Sequence, residues 1–121
     1  MKKILIVEDH ADIRRLIHMT LEFDDHDILE AENGAIGLDM AREHQPDLVL
    51  LDVMMPGALS GLDVCRALKA TANPPRVLLL SAGGHSEDIK AGMLAGAEVY
   101  LVKPFSPLQL MENINQPLED A

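Results

Sequence analysis

The chain has 121 residues, 48% of them apolar and 25% charged, which fits one soluble domain with a real core and leaves no room for two ordinary ones. A formal net charge of −10 disfavours direct contact with nucleic-acid phosphates or an anionic membrane surface and favours cations or basic protein surfaces. No apolar run approaches the roughly 20 residues that a bilayer span needs, and the lone Cys65 excludes an internal disulfide, which suits a reducing, cytoplasmic setting.

The start is basic and then apolar, as in a signal peptide. However, Ile4-Leu5-Ile6-Val7 stops at Glu8-Asp9, short of the ~7–15 apolar residues that such a segment requires. It reads as a first strand, apolar throughout because both faces of its sheet are to be covered. A helix follows with Ile13, Leu16, Ile17 and Leu21 on one face and Arg14 and Arg15 outside. A short strand is predicted over 27–31, then a turn at Asn33-Gly34 and a helix over 35–44, weakened by Gly37 and ended by Pro46.

Residues 48–51 form another all-apolar strand, with Asp52 at its C-terminal end. A loop with Pro56, Gly57 and Gly61 leads to a helix over 62–70 whose Leu62, Cys65 and Leu68 point inward. Pro74-Pro75 breaks the chain before a strand over 77–80 that ends at Ser81. Gly83-Gly84 opens a loop ahead of a helix over 86–95. The strand 99–102 runs into Lys103-Pro104, and a last helix over 107–116 starts with Pro107 after a capping Ser106.

Strands alternating with helices imply parallel pairing through right-handed crossovers. The expected fold is a single α/β domain over 1–121, a doubly wound five-stranded parallel sheet with about five helices on its two faces. Such folds work at the C-terminal ends of their strands. Those ends carry Glu8-Asp9, Asp52, Ser81 and Lys103.

Carboxylates held that close repel one another unless a cation sits among them. With oxygen ligands and no His or Cys counted among them, the expected ion is Mg2+, with Mn2+ as a substitute. Asp9 and Asp52 would bind it directly, Glu8 through water, and the backbone carbonyl of Met54 would complete the protein share. A carboxylate is also a nucleophile toward phosphorus, and phosphoryl transfer needs charge neutralisation above all. Asp52, ending a central apolar strand, is the candidate nucleophile; Lys103 and the Ser81 hydroxyl match two phosphoryl oxygens and the ion a third.

In Ile4-Leu5-Ile6-Val7-Glu8-Asp9, Leu51-Asp52-Val53-Met54-Met55-Pro56-Gly57, Leu80-Ser81-Ala82 and Tyr100-Leu101-Val102-Lys103-Pro104-Phe105, in that order, the chain resembles the receiver domains of two-component response regulators, flavodoxin-like phosphorelay modules. The resemblance implies a metal pair at Glu8 and Asp9, a phosphoacceptor at Asp52, a switch hydroxyl at Ser81, and a phosphate-contacting Lys103 before a cis bond to Pro104. It implies a histidine kinase or histidine phosphotransfer protein as donor and a rotating Tyr100 as second switch. It also implies an output or partner surface on the fourth helix, fifth strand and fifth helix, with phosphorylation-dependent homodimerisation there. The chain is then a signalling switch and not an enzyme with a separate substrate.

Departures from the commonest pattern are Ser81 in place of Thr, Ser60 where many members have Asp before Gly61, and one extra residue in the Ala58-Leu59 loop. Met54 and Gly83 stand where polar side chains in the family speed hydrolysis, so slow self-dephosphorylation is expected. Two rival functions fit less well. A haloacid-dehalogenase-type phosphatase needs a second acid where Met54 stands, and an FMN binder needs a hydroxyl-rich phosphate loop where Glu8-Asp9-His10 stands. The kinase, the pathway and the presence of an attached output domain are not readable from the residues.

Overall fold

A computed structural model of the chain describes residues 2–115 apart from Pro56, Ala58 and Gly83, so the loop positions at 56, 58 and 83 and the expected helix end at Gln116 lie outside the described residues. The strands are β1 (Lys2–Val7), β2 (His26–Ala31), β3 (Leu48–Asp52), β4 (Arg76–Ser81) and β5 (Val99–Val102). The helices are α1 (Ala11–Leu21), α2 (Gly34–His44), α3 (Gly61–Lys69), α4 (Ser86–Leu94) and α5 (Pro107–Asn115). All strands pair in parallel in the order β2-β1-β3-β4-β5. The chain therefore reverses its direction of travel across the sheet between β1 and β3, where a crevice opens at the strand ends.

Apolar strands with a period of two feed two cores at once. Leu5, Val7, Val49, Leu51, Val77 and Leu79 face α2 and α3 with Ala41, Val64, Cys65 and Leu68. Their neighbours Ile4, Ile6, Leu48, Leu50, Leu78 and Leu80 face Ile17 and Leu21 of α1 and Leu110 and Ile114 of α5. A strand buried on both faces has no use for a polar residue until it leaves the core, so polarity collects at the strand tips.

Side-chain directions differ from expectation at several points. Leu16 is 53% exposed, because the buried stripe of α1 follows Ile13, Ile17, Thr20 and Leu21 and leaves Leu16 about a quarter-turn away. Arg14 is not outside: it is half-buried, and its Nη1 donates to the Glu8 carbonyl at 2.7 Å while Nε donates to Glu30 at 2.9 Å. In α3 Cys65 and Leu68 are buried as expected, but Val64 is buried with them and Leu62 is only half-buried. Gly37 is a packing device: a Cβ there would stand 2.8 Å from a Val7 methyl, so its absence lets α2 lie close on β1.

Local signals close the helices near the strand ends. The Asn33 side chain accepts from Ile36 N at 2.8 Å and starts α2. Ser60 Oγ accepts from Asp63 N at 3.2 Å while Asp63 Oδ2 accepts from Ser60 N at 3.0 Å, a reciprocal box that starts α3. Ser60 thus does its work where the commoner Asp is missing. The expected Ser106 cap is present, its Oγ accepting from Gln109 N at 3.0 Å.

Candidate functional site

Register brings the strand tips together. Val7 pairs with Leu51, so Glu8 and Asp52 are next in line on adjacent strands. Asp52 pairs with Leu80 and Ser81 with Val102, which sets Ser81 and Lys103 at the same end of the sheet. Lys103 N donates to the Ser81 carbonyl at 2.7 Å, and the Lys103–Pro104 peptide is cis. The loop after β3 returns at Gly61, whose N–H donates to Val53 O at 3.0 Å. A Cβ on Gly61 would collide with the Asp52 carbonyl oxygen and lie 2.6 Å from Val53 Cα, so only glycine lets α3 begin this close to Asp52.

Three charged groups meet there almost out of water. Glu8 is fully buried and Asp52 is 2% exposed. Lys103 Nζ donates to Glu8 Oε1 at 2.9 Å and stands 3.4 Å from Asp52 Oδ1. The Met54 N–H reaches the same Asp52 oxygen at 3.3 Å, while the Met54 side chain is largely exposed. Ser81 is buried at the end of β4 and lines, with Tyr100, Val53 and Met54, a cleft of about 430 Å³. Gly92 of α4 packs on Tyr100 so tightly that a Cβ would stand 2.8 Å from its ring.

Electrostatics divide the two acids. Burial favours the protonated form of Glu8, but the Lys103 hydrogen bond and the His10 N–H outweigh it and hold its carboxyl below the ordinary range. Burial and then the charge of Glu8 push Asp52 up to about 6, against the pull of Lys103 and the Met54 N–H. Burial works against the Lys103 ammonium, yet Glu8 and Asp52 together raise its pKa and keep it charged. One ammonium does not neutralise the surrounding carboxylates.

Ligand atoms of Glu8, Asp9, His10 and Asp52 all lie within 4.8 Å of one another. Asp9 Oδ1 is buried without a hydrogen-bond partner, an acceptor waiting for a positive group. Uncompensated carboxylates with an orphaned oxygen fit a divalent cation. A nitrogen stands close to these oxygens, where the residues alone suggested none: His10, which follows the acidic pair, turns its Nδ1 into the cluster, 3.2 Å from Glu8 Oε2 and 3.3 Å from Asp9 Oδ1. The N-cap of α1 is His10, without a side-chain bond. The Arg14 contact to the Glu8 carbonyl and the backbone approach at Gly61 were also missed; the first has no sequence signal, the second only an unexplained glycine.

A family model described as the response regulator receiver domain matches residues 4–115. The chain is 41% identical to the transcriptional regulatory protein ResD of Bacillus subtilis over 119 residues, 98% of this chain and 49% of that protein. It is 36% identical to the DNA-binding response regulator MtrA of Mycolicibacterium paratuberculosis over 97% of this chain and 51% of MtrA. It thus spans about half the length of the curated relatives that it matches. In structure it resembles the chemotaxis protein CheY4 of Vibrio cholerae, with a TM-score of 0.90 and 28% identity over 98% of this chain and 99% of CheY4.

Proposed function

Because the chain belongs to the response regulator receiver domain family, and so to phosphorelay signalling, we propose that Asp52 is its phosphoacceptor, charged by a histidine kinase or histidine phosphotransfer protein. The observation that carries this is the placing of Lys103 Nζ between Glu8, at 2.9 Å, and Asp52, at 3.4 Å, beside the orphaned oxygen of Asp9.

In the step, an ionised Asp52 oxygen attacks the phosphorus of the donor phosphohistidine. The P–N bond breaks as the P–O bond forms, and the imidazole leaves with a proton from solvent. Lys103 turns from its carboxylate partners to one phosphoryl oxygen, and the Ser81 hydroxyl donates to another. Asp9, Asp52 and the Met54 carbonyl would hold Mg2+ directly and Glu8 would hold it through water. When bound, the ion supplies the charge neutralisation that the ammonium alone lacks. Ionised Asp52 is then favoured over its protonated form.

The switch is read through Ser81 and Tyr100, which share one cleft, so that withdrawal of the hydroxyl toward phosphate opens room for the ring. Moving a population from 1:99 to 99:1 takes about 5.5 kcal/mol of preference. Charge-assisted hydrogen bonds to the phosphoryl group are of that order in sum. Exposed Leu94, Val102 and Leu108 on α4, β5 and α5 support that face as the output or dimer surface. The net charge of −10 keeps the receiver itself off nucleic acid, so its output runs through protein contacts in the cytoplasm. No helix among the described residues is long and apolar enough to cross a membrane.

The test is intact-mass spectrometry after acetyl phosphate plus Mg2+. One added phosphoryl on the wild type and none on Asp52→Ala is expected; a label that persists in the variant would move the acceptor elsewhere.

A further inference from the structure

We propose that His10 is a nitrogen ligand in this cation site and gives it a preference for borderline transition ions such as Zn2+ or Co2+ over Mg2+. The inference rests on the reading of Glu8, Asp9 and Asp52 as cation ligands and adds a specificity-determining residue to it.

The geometry around Nδ1 carries it. Nδ1 stands 3.2 Å from Glu8 Oε2 and 3.3 Å from Asp9 Oδ1, so electron-rich atoms converge on one spot and something positive must lie among them. A proton on Nδ1 is one solution, and it serves one oxygen only. Its hydrogen bond runs to Glu8 Oε2, and Asp9 Oδ1, although buried, is left with a 3.3 Å contact to the same nitrogen and no hydrogen bond. A metal ion in place of that proton serves Nδ1 and Asp9 together. Asp52 lies within the same 4.8 Å cluster and adds a third direct ligand.

The backbone at the root of the ring is fixed. His10 N donates to Glu8 Oε2 at 3.1 Å, and Arg14 grips the Glu8 carbonyl at 2.7 Å, fixing the turn from β1 into α1. The imidazole is otherwise 64% exposed, so it reaches the ion without a core rearrangement. Imidazole nitrogen is a poor ligand for Mg2+ and a good one for Zn2+ and Co2+, which bind nitrogen-containing sites more tightly. A purely carboxylate site lacks this added discrimination.

The experiment compares the full chain with its His10→Ala and Asp52→Ala variants. Mg2+ binding is followed by thermal shift, and Co2+ binding by visible absorption, with Zn2+ as competitor. Loss of about tenfold or more in Co2+ and Zn2+ affinity is expected for His10→Ala, with Mg2+ affinity within about twofold. In wild-type protein, Zn2+ should displace the Nδ1 resonance of His10 in long-range proton–nitrogen spectra, a readout that needs no variant. Co2+ and Mg2+ affinities falling together in His10→Ala, or an unmoved His10 resonance, overturns the ligand role while leaving the Mg2+ site standing. Failure of every ion to bind the wild type overturns the cation reading as a whole.

Discussion

Lys103 Nζ and Glu8 Oε1 meet at 2.9 Å although 95 positions separate them in the chain. Neither residue belongs to the strand that Asp52 ends, yet both bear on the ionisation of that carboxylate. Glu8 pushes the pKa of Asp52 up and Lys103 pulls it down, after the larger effect of burial. The acceptor is therefore tuned by the tips of two other strands.

Removing the ammonium should expose what it compensates. Lys103→Met leaves Glu8 buried without its cation and should lose about 2–4 kcal/mol at pH 7 in urea melts. The carboxyl of Glu8 is held below its ordinary range, so its contribution is present above the unfolded pKa and fades as pH falls through the folded one. The gap between wild type and variant should narrow in acid. An unchanged gap at low pH would mean that the loss is one of packing.

Asp52 carries the opposite sign. Its pKa rises from the ordinary 3.8 to about 6 on folding, so its favourable contribution is complete below the lower value and is lost as pH rises through the upper. Without metal at pH 7, Asp52→Asn should be more stable than wild type by about 1–3 kcal/mol. The advantage should shrink toward pH 4, and Mg2+ should stabilise the wild type alone. Equal melting temperatures across that range would contradict the assignment.

The close approach at Gly61 gives a purely steric prediction. A methyl there must displace the start of α3 from the Asp52 carbonyl, at a cost of about 2–3 kcal/mol. Gly61→Ala should also accept phosphate from acetyl phosphate more slowly, because the backbone carrying Asp52 and Met54 shifts. Wild-type denaturation and labelling rates in the variant would show that the loop relaxes freely.

Phosphoryl lifetime tests the polarity beside the acceptor. Met54 is 70% exposed and has no group that orients water, so the phospho-form should persist for minutes or longer in Mg2+. Met54→Asn should shorten that lifetime by about tenfold by positioning a water. Loss of the label from wild type within seconds would refute the expectation.

Much of the fold was legible because parallel sheets buried on both faces leave unmistakable apolar runs, and chemistry at their ends stands out against them. Glu8, Asp52, Ser81 and Lys103 were readable on that ground alone. Leu16 was misplaced because a helix of period 3.6 presents two neighbouring stripes, and only the sheet beneath decides which is covered. His10 was passed over because a residue following an acidic pair reads as a helix entrance until the turn gives its ring a direction.

From the residues by themselves came the order of elements, the layered class and the polar tips, since these follow from local periodicity and from the rule that parallel strands align their ends. The tertiary structure alone decided which atoms touch. Whether Nζ of Lys103 falls between two acids, whether Nδ1 of His10 joins them and whether Gly61 must lack a side chain depend on twist and register across four adjacent strands. Ångström differences there separate a bond from a near miss, and no local pattern along a chain encodes a distance between its ends.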